Sequence, residues 1–226
     1  MSAALHLVIG NKNYSSWSMR PWVLMHGLYL PFEEQLLKFE SEDWRANIAR
    51  LSPSRMVPVL WEGEPGKGFA TWDTLAIAER LHELHPKAGV WPADAQARAH
   101  ARAYCAEFHS GFQALRGAMP MNIRGRYPGK GMSPDVEKDI ERIVALWTEA
   151  RRRFGAGGPY LFGAFGAADA YFAPVATRFV TYAVDLPAVA YEYQQVLLAT
   201  PAVVAWSADA EKETEFVAAD EPYATP

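Results

Sequence analysis

Tyr14, Ser15, Ser16 and Ser18 crowd four hydroxyl groups into five residues. They fall between a short apolar run, Leu5 to Ile9, and a stretch containing Pro21, Val23, Leu24 and Leu28. Serine near the start and proline within the first turn mark that stretch as a helix. The first backbone N–H groups of a helix lack intrahelical partners, and the positive end of its dipole points the same way. A thiolate set there is stabilised, and its pKa falls from about 8.5. A serine hydroxyl that donates a hydrogen bond adds to this, because a donor favours the charged form. The same serines can equally do no more than cap the helix.

Two further places carry chemistry. Pro58 sits at the start of the apolar run Val57 to Trp61, where proline is tolerated only at an edge, a first position or a bulge. A cis bond there presents the N–H and C=O of Val57 to an extended ligand, whereas a trans bond makes an ordinary strand edge. Asp73 and Thr74 open another helix. Asp73 can cap that helix or accept from a ligand ammonium, and Thr74 with the free N–H groups can take a carboxylate.

The elements that must position these residues divide into two kinds. Before about residue 88, strand and helix signals alternate: a strand at 5–9, the helix after Ser15, a strand at 32–39, a short helix at 41–51, strands at 57–61 and 69–72, and a helix after Asp73 with Ile77, Leu81 and Leu84 on its apolar face. The order βαβ, α, ββα is followed by helical spacing alone. Ala101, Tyr104, Cys105, Phe108, Phe112 and Leu115 form one stripe, and Val136, Ile140, Ile143 and Trp147 a second. Ala167 to about Val184 reads as a third helix, apolar all round and therefore buried. Pro187 and Pro201 separate two more. The expected organisation is an α/β domain over 1–86, a linker over 87–92 around Trp91-Pro92, and an all-helical domain over 93–226.

Composition narrows the function. With 226 residues, half of them hydrophobic, the chain can bury a substantial core. Its net charge of −4 gives no basic footprint for nucleic acid, and the clusters Arg151 to Arg153 and Arg124, Arg126, Lys130 read as solvated surface. A single cysteine, Cys105, allows no disulfide within the chain and fits a reducing, cytoplasmic setting. The opening residues do not read as a secretory signal, and no apolar run is long enough for a membrane span. Gly63 to Gly68 lacks the spacing of a phosphate loop and reads as a hairpin turn; His82 and His85 do not have metal-ligand spacing, and no metal is expected. His109 reads as surface or core, and Cys105 as a small buried hydrophobe.

Taken together, Ser15-Ser-Trp-Ser-Met-Arg20, Ser52-Pro-Ser-Arg-Met-Val-Pro-Val-Leu60 and Trp72-Asp-Thr-Leu-Ala-Ile-Ala-Glu-Arg-Leu81 resemble, in order and spacing, the glutathione-binding half of the cytosolic glutathione S-transferases. The class most similar is the zeta-like, maleylacetoacetate isomerase group, with its S-S-C-S-x-R, N-P-x-x-x-V-P and (D/E/Q)-S-L-A-I patterns. The run Asn11 to Ser18 also resembles a bacterial group near that class. In the second half, Phe162 to Asp169 is similar to the family's S/T-x-x-D helix cap.

The resemblance implies a thioredoxin-like first domain, glutathione as cosubstrate and a homodimer. It implies that Ser15 donates to the glutathione sulfur, with Ser16 able to share or replace that role. Val57 would pair its backbone with the cysteinyl part, Pro58 would be cis, Asp73 and Thr74 would hold the γ-glutamyl end, and Arg55 would lie near the glycyl carboxylate. Trp17, Met119, Met121 and Arg124 would line the pocket of a hydrophobic electrophile, with Arg124 drawing an anionic one, and Asp169 would be a structural cap. Two positions depart from the pattern. Trp17 stands where the zeta class has cysteine, which argues for a transferase over an isomerase, and Gly166 replaces the capping Ser/Thr. A third reading, a non-catalytic binder of glutathione or of a protein, also accommodates these residues.

Overall fold

A computed structural model describes residues 4–224. Four strands form one mixed sheet: β1 (Leu5–Ile9), β2 (Glu33–Leu36), β3 (Val59–Glu62) and β4 (Phe69–Thr71), in the spatial order β2-β1-β3-β4. β1 runs parallel to β2 and antiparallel to β3, and β4 is antiparallel to β3. Helix α1 (Ser16–Gly27) connects β1 to β2, α2 (Glu42–Leu51) leads to β3, and α3 (Thr74–Leu84) follows β4. Period-two alternation sorts the central strands. Leu5, Leu7, Ile9 and Leu60 join the main core, while Val8, Val59 and Trp61 face a smaller cluster with Ile48 and Leu51 of α2. The turn between β3 and β4 requires glycine at its end, since a Cβ on Gly68 would lie 2.2 Å from the Glu62 carbonyl oxygen.

Among the described residues six α-helices follow: α4 (Ala95–Ser110), α5 (Gln113–Ala118), α6 (Pro134–Phe154), α7 (Ala167–Thr181), α8 (Ala188–Ala199) and α9 (Pro201–Ala210). A four-stranded mixed sheet with its helices, followed by a helical domain, is the arrangement that the resemblance implies. α7 is buried along nearly its whole length and packs against α1, so the two halves share one continuous core. None of the described helices is long and apolar enough to cross a membrane.

Two expectations need correction. The second strand is shorter than 32–39, because Glu33 to Leu36 alone pair with β1 at the sheet edge. The stripe from Ala101 to Leu115 is not one helix. It stops at Ser110, Phe112 turns into the left-handed region at φ 57°, and α5 starts afresh. The Phe108 and Phe112 rings stack at 5.2 Å, so the apolar side chains stay together across a break that their spacing conceals.

Candidate functional site

The loop 11–14 leads from β1 into α1, and both halves of the molecule fasten it. Asn13 Nδ2 donates to Asn122 Oδ1 at 2.9 Å, and Trp206 Nε1 donates to the Lys12 carbonyl at 2.9 Å. The segment after α9 straps the loop down: the Glu213 carboxylate accepts from Lys12 N at 2.7 Å and Asn13 N at 3.1 Å, and Glu221 accepts from the Tyr14 hydroxyl. Ser15 is therefore held at a fixed place as the N-cap of α1.

The two neighbouring serines differ. Ser15 Oγ accepts from Ser18 N at 3.3 Å and donates to Ser18 Oγ at 2.7 Å; Ser18 Oγ also accepts from Gly10 N at 3.1 Å. Its proton is thus directed into the fold. Ser16 Oγ accepts from Arg178 Nη2 at 3.1 Å. Both serines line a cavity of about 690 Å³ between the two halves. Tyr14 lines it too, but its hydroxyl is bound by Glu221 and by Arg124, and burial followed by the Glu221 hydrogen bond pushes it up to about 12.

Trp17, Val57, Arg55 and Met121 also border this cavity, along with Phe39, Trp44, Met56 and Pro120. The Val57–Pro58 bond is cis, as is Trp72–Asp73. Trp17 lies between two guanidinium groups, Arg20 at 3.9 Å and Arg116 at 5.3 Å from its ring, with His109 edge-on at 5.3 Å. Arg20 is fully buried, and desolvation lowers it to about 9.

Asp73 caps α3 through Leu75 N at 3.0 Å, its other oxygen faces His109 Nε2 at 3.4 Å, and the Thr74 hydroxyl shares a 2.6 Å hydrogen bond with the Tyr171 hydroxyl. Neither Asp73, Thr74 nor Pro58 borders the cavity itself.

Met119 and Arg124 lie elsewhere than the sequence suggests. Met119 is fully buried, and its carbonyl accepts from Arg178 Nε at 2.8 Å. Arg124 is occupied in holding the strap: Nη2 donates to Tyr14 Oη and to the Glu215 carbonyl, both at 2.7 Å, and Nη1 to the Glu213 carbonyl. Neither is in the cavity wall.

The structure supplies instead three charged residues that the sequence reading did not single out: Arg116 of α5, Arg178 of α7 and Asp220 of the strap. Burial raises the Asp220 carboxyl to about 6 against the opposing pull of Arg178. Arg178 could have been found, because it is the one basic residue in a long, almost wholly buried helix. Arg116 and Asp220 carry no such local signal. No cluster of three or more metal-ligating side chains occurs among the described residues.

Comparison with known proteins bears on the family and the fold. The family model for glutathione S-transferase N-terminal domains matches residues 14–84, and that for the C-terminal domains matches 133–209. The chain belongs to the glutathione S-transferase superfamily. Among solved structures, a glutathione transferase homolog from Burkholderia gl BGR1 with bound glutathione is 24% identical, over 93% of this chain and 100% of that one, with a TM-score of 0.68. Glutathione transferase Omega 2C from Trametes versicolor is 18% identical over 90% and 93% of the two chains, with a TM-score of 0.67. Ure2p in complex with glutathione is 16% identical over 92% and 95%, also with a TM-score of 0.67. At these identities the likeness is one of fold. No curated protein matches the sequence.

Proposed function

We propose that this protein is a serine-type, zeta-like glutathione transferase that binds glutathione in the cavity at the start of α1, ionises its thiol and directs it at an electrophilic small molecule. The observation that carries the reading is the convergence on one cavity of the Ser15–Ser16 helix start, Val57 beside Pro58, and a second-half wall in which Pro120 and Met121 stand beside Arg116 and Arg178. A hydroxyl donor, the helix dipole and nearby guanidinium groups each favour a thiolate over a thiol.

Val57 would pair its backbone with the cysteinyl segment, Asp73 and Thr74 would hold the γ-glutamyl end, and Arg55 would face the glycyl carboxylate. Of these, Arg55 borders the cavity, while Asp73 and Thr74 do not. Trp17 and Met121 would wall the electrophile. In the reaction the thiol proton passes to water and the thiolate pair forms the new S–C bond. The leaving group departs with the electron pair of the bond it breaks. The protein contributes thiolate stabilisation and proximity. Trp17, fixed between Arg20 and Arg116, offers no thiol for an isomerase-type exchange.

Phe69 and Trp72 are 63% and 45% exposed beside edge strand β4, and a second copy of the chain would cover them as a homodimer. Sedimentation velocity reads that state. The fully buried Cys105 suits a cytoplasmic setting.

Calorimetric titration with glutathione, followed by initial rates with a generic aryl halide, tests the reading. Saturable binding with turnover that depends on glutathione is expected. Absence of binding removes the transferase and the isomerase together.

A further inference from the structure

Three hydroxyl groups compete for the sulfur at the start of α1, and their hydrogen bonds separate them. Tyr14 is committed to Glu221 and Arg124. Ser15 gives its proton to Ser18. Ser16 receives a hydrogen bond from Arg178, and an oxygen that accepts from a guanidinium keeps its own proton for another partner.

Arg178 itself is unusual. It is 3% exposed in the last turn of the buried helix α7, and its guanidinium bonds end on neutral oxygens: the Met119 carbonyl at 2.8 Å, the Pro174 carbonyl at 3.4 Å and Ser16 Oγ. A buried cation without a carboxylate partner is costly unless an anion arrives beside it. The other charged groups bordering the cavity are Arg55, Arg116 and Asp220. Arg116 adds positive charge. Asp220, on the strap, is the one carboxylate facing Arg178 across the cavity, and no hydrogen bond joins the two.

We infer that Ser16, held by Arg178 Nη2, is the catalytic hydroxyl that donates to the glutathione sulfur, with Arg178 as its positioning residue and Ser15 as the helix cap. This rests on the transferase reading above. On binding, the S–H proton leaves to water, the Ser16 O–H turns to the sulfur, and the Arg178 charge lies one hydrogen bond behind it. No bond to the protein forms.

The test is the ultraviolet absorbance of the bound thiolate, followed against pH in the wild type and in Ser16→Ala, Ser15→Ala, Arg178→Met and Arg178→Lys, with glutathione binding measured by calorimetry in each. A hydrogen bond to a charged group corresponds to a shift of about one to two pH units. Ser16→Ala is expected to raise the bound-thiol pKa by that amount with unaltered thermal stability. Ser15→Ala is expected to lower the melting temperature and to shift the thiol by less than half as much. Arg178→Met should match Ser16→Ala, and Arg178→Lys should recover part of the shift, which a purely structural role would not produce. Should the arginine variants fail to fold, the two serine variants decide alone. A larger shift in Ser15→Ala than in Ser16→Ala overturns the assignment, and so does a thiol pKa unmoved by Ser16→Ala while glutathione still binds. Failure of the wild type to bind glutathione overturns the transferase reading and this assignment together.

Discussion

Helices α1 and α7 pack against each other, yet their N-termini are finished in opposite ways. At α7 the buried Asp169 carboxylate accepts from Gly166 N and Leu161 N at 3.0 Å and from the Tyr193 hydroxyl at 2.9 Å. The positive end of that helix is thus matched from within the chain. At Gly166, which stands in place of the usual capping hydroxyl, a Cβ would make a tight 3.1 Å contact with the Val90 carbonyl oxygen, which already accepts from Ala167 N. At α1 the first turn contains no acidic residue, its polar side chains are serines, and the charge beside it is the cation Arg178. One end is closed by its own anion, and the other, in the proposed function, receives one from the ligand. A helix start becomes a site when the chain withholds the charge that would complete it.

The largest effect is expected at the closed end. Asp169→Ala leaves three buried donors without a partner, at about 1–3 kcal/mol each, so chemical denaturation should show a loss of at least about 3 kcal/mol. A loss near 0.5 kcal/mol would mean that the α7 cap is dispensable and the contrast empty. Next in size is the conversion of the open end into a closed one. Ser16→Asp places a carboxylate beside Arg178 and should weaken glutathione binding by about tenfold or more through like-charge repulsion, while the fold is retained. Undiminished calorimetric affinity would place the ligand's anion elsewhere.

A smaller change is expected in Ser15→Ala, which removes the cap of α1 and should cost about 1 kcal/mol of stability, read by denaturant midpoint. The smallest concerns Asp220. Its carboxyl, raised to about 6, is neutral below that pH and charged above it. Wild-type affinity for S-methylglutathione, which has no thiol to titrate, should therefore fall a few-fold as pH rises through about 6, since ionised Asp220 repels an anionic ligand across the cavity. Asp220→Asn should lack that step. An identical pH profile in the two proteins would show that Asp220 does not face the ligand.

Much of this frame could be read along the chain. Leu5 to Ile9 as a strand, the Ser15 cap of α1, Asp73 capping α3 and the Ser133-Pro134 start of α6 are all local signals, set by propensity and capping within a few residues, whereas Pro21, expected within the first turn of α1, falls in its second. What escaped depends on contacts across long separations. The strap from Glu213 to Tyr223 lies some 200 residues from the loop it fastens. Its acidic and aromatic residues have no periodicity, and their purpose shows only against Lys12, Tyr14 and Arg124. The resemblance implies Arg124 in the pocket because the family's architecture sets the end of the second domain's long first helix above the glutathione sulfur. Its side chain turns away because Tyr14 and two strap carbonyls supply what a guanidinium needs. Arg116 reaches the cavity only because the chain breaks at Phe112, a break hidden by unbroken apolar spacing.

The central claim is that α1 begins at a place made for an anion. The most direct measurement is the ultraviolet pH titration of glutathione bound to the wild-type protein. A midpoint at least about one unit below the ordinary thiol value of about 8.5 is expected. A midpoint at the free value, or no binding at all, would contradict it.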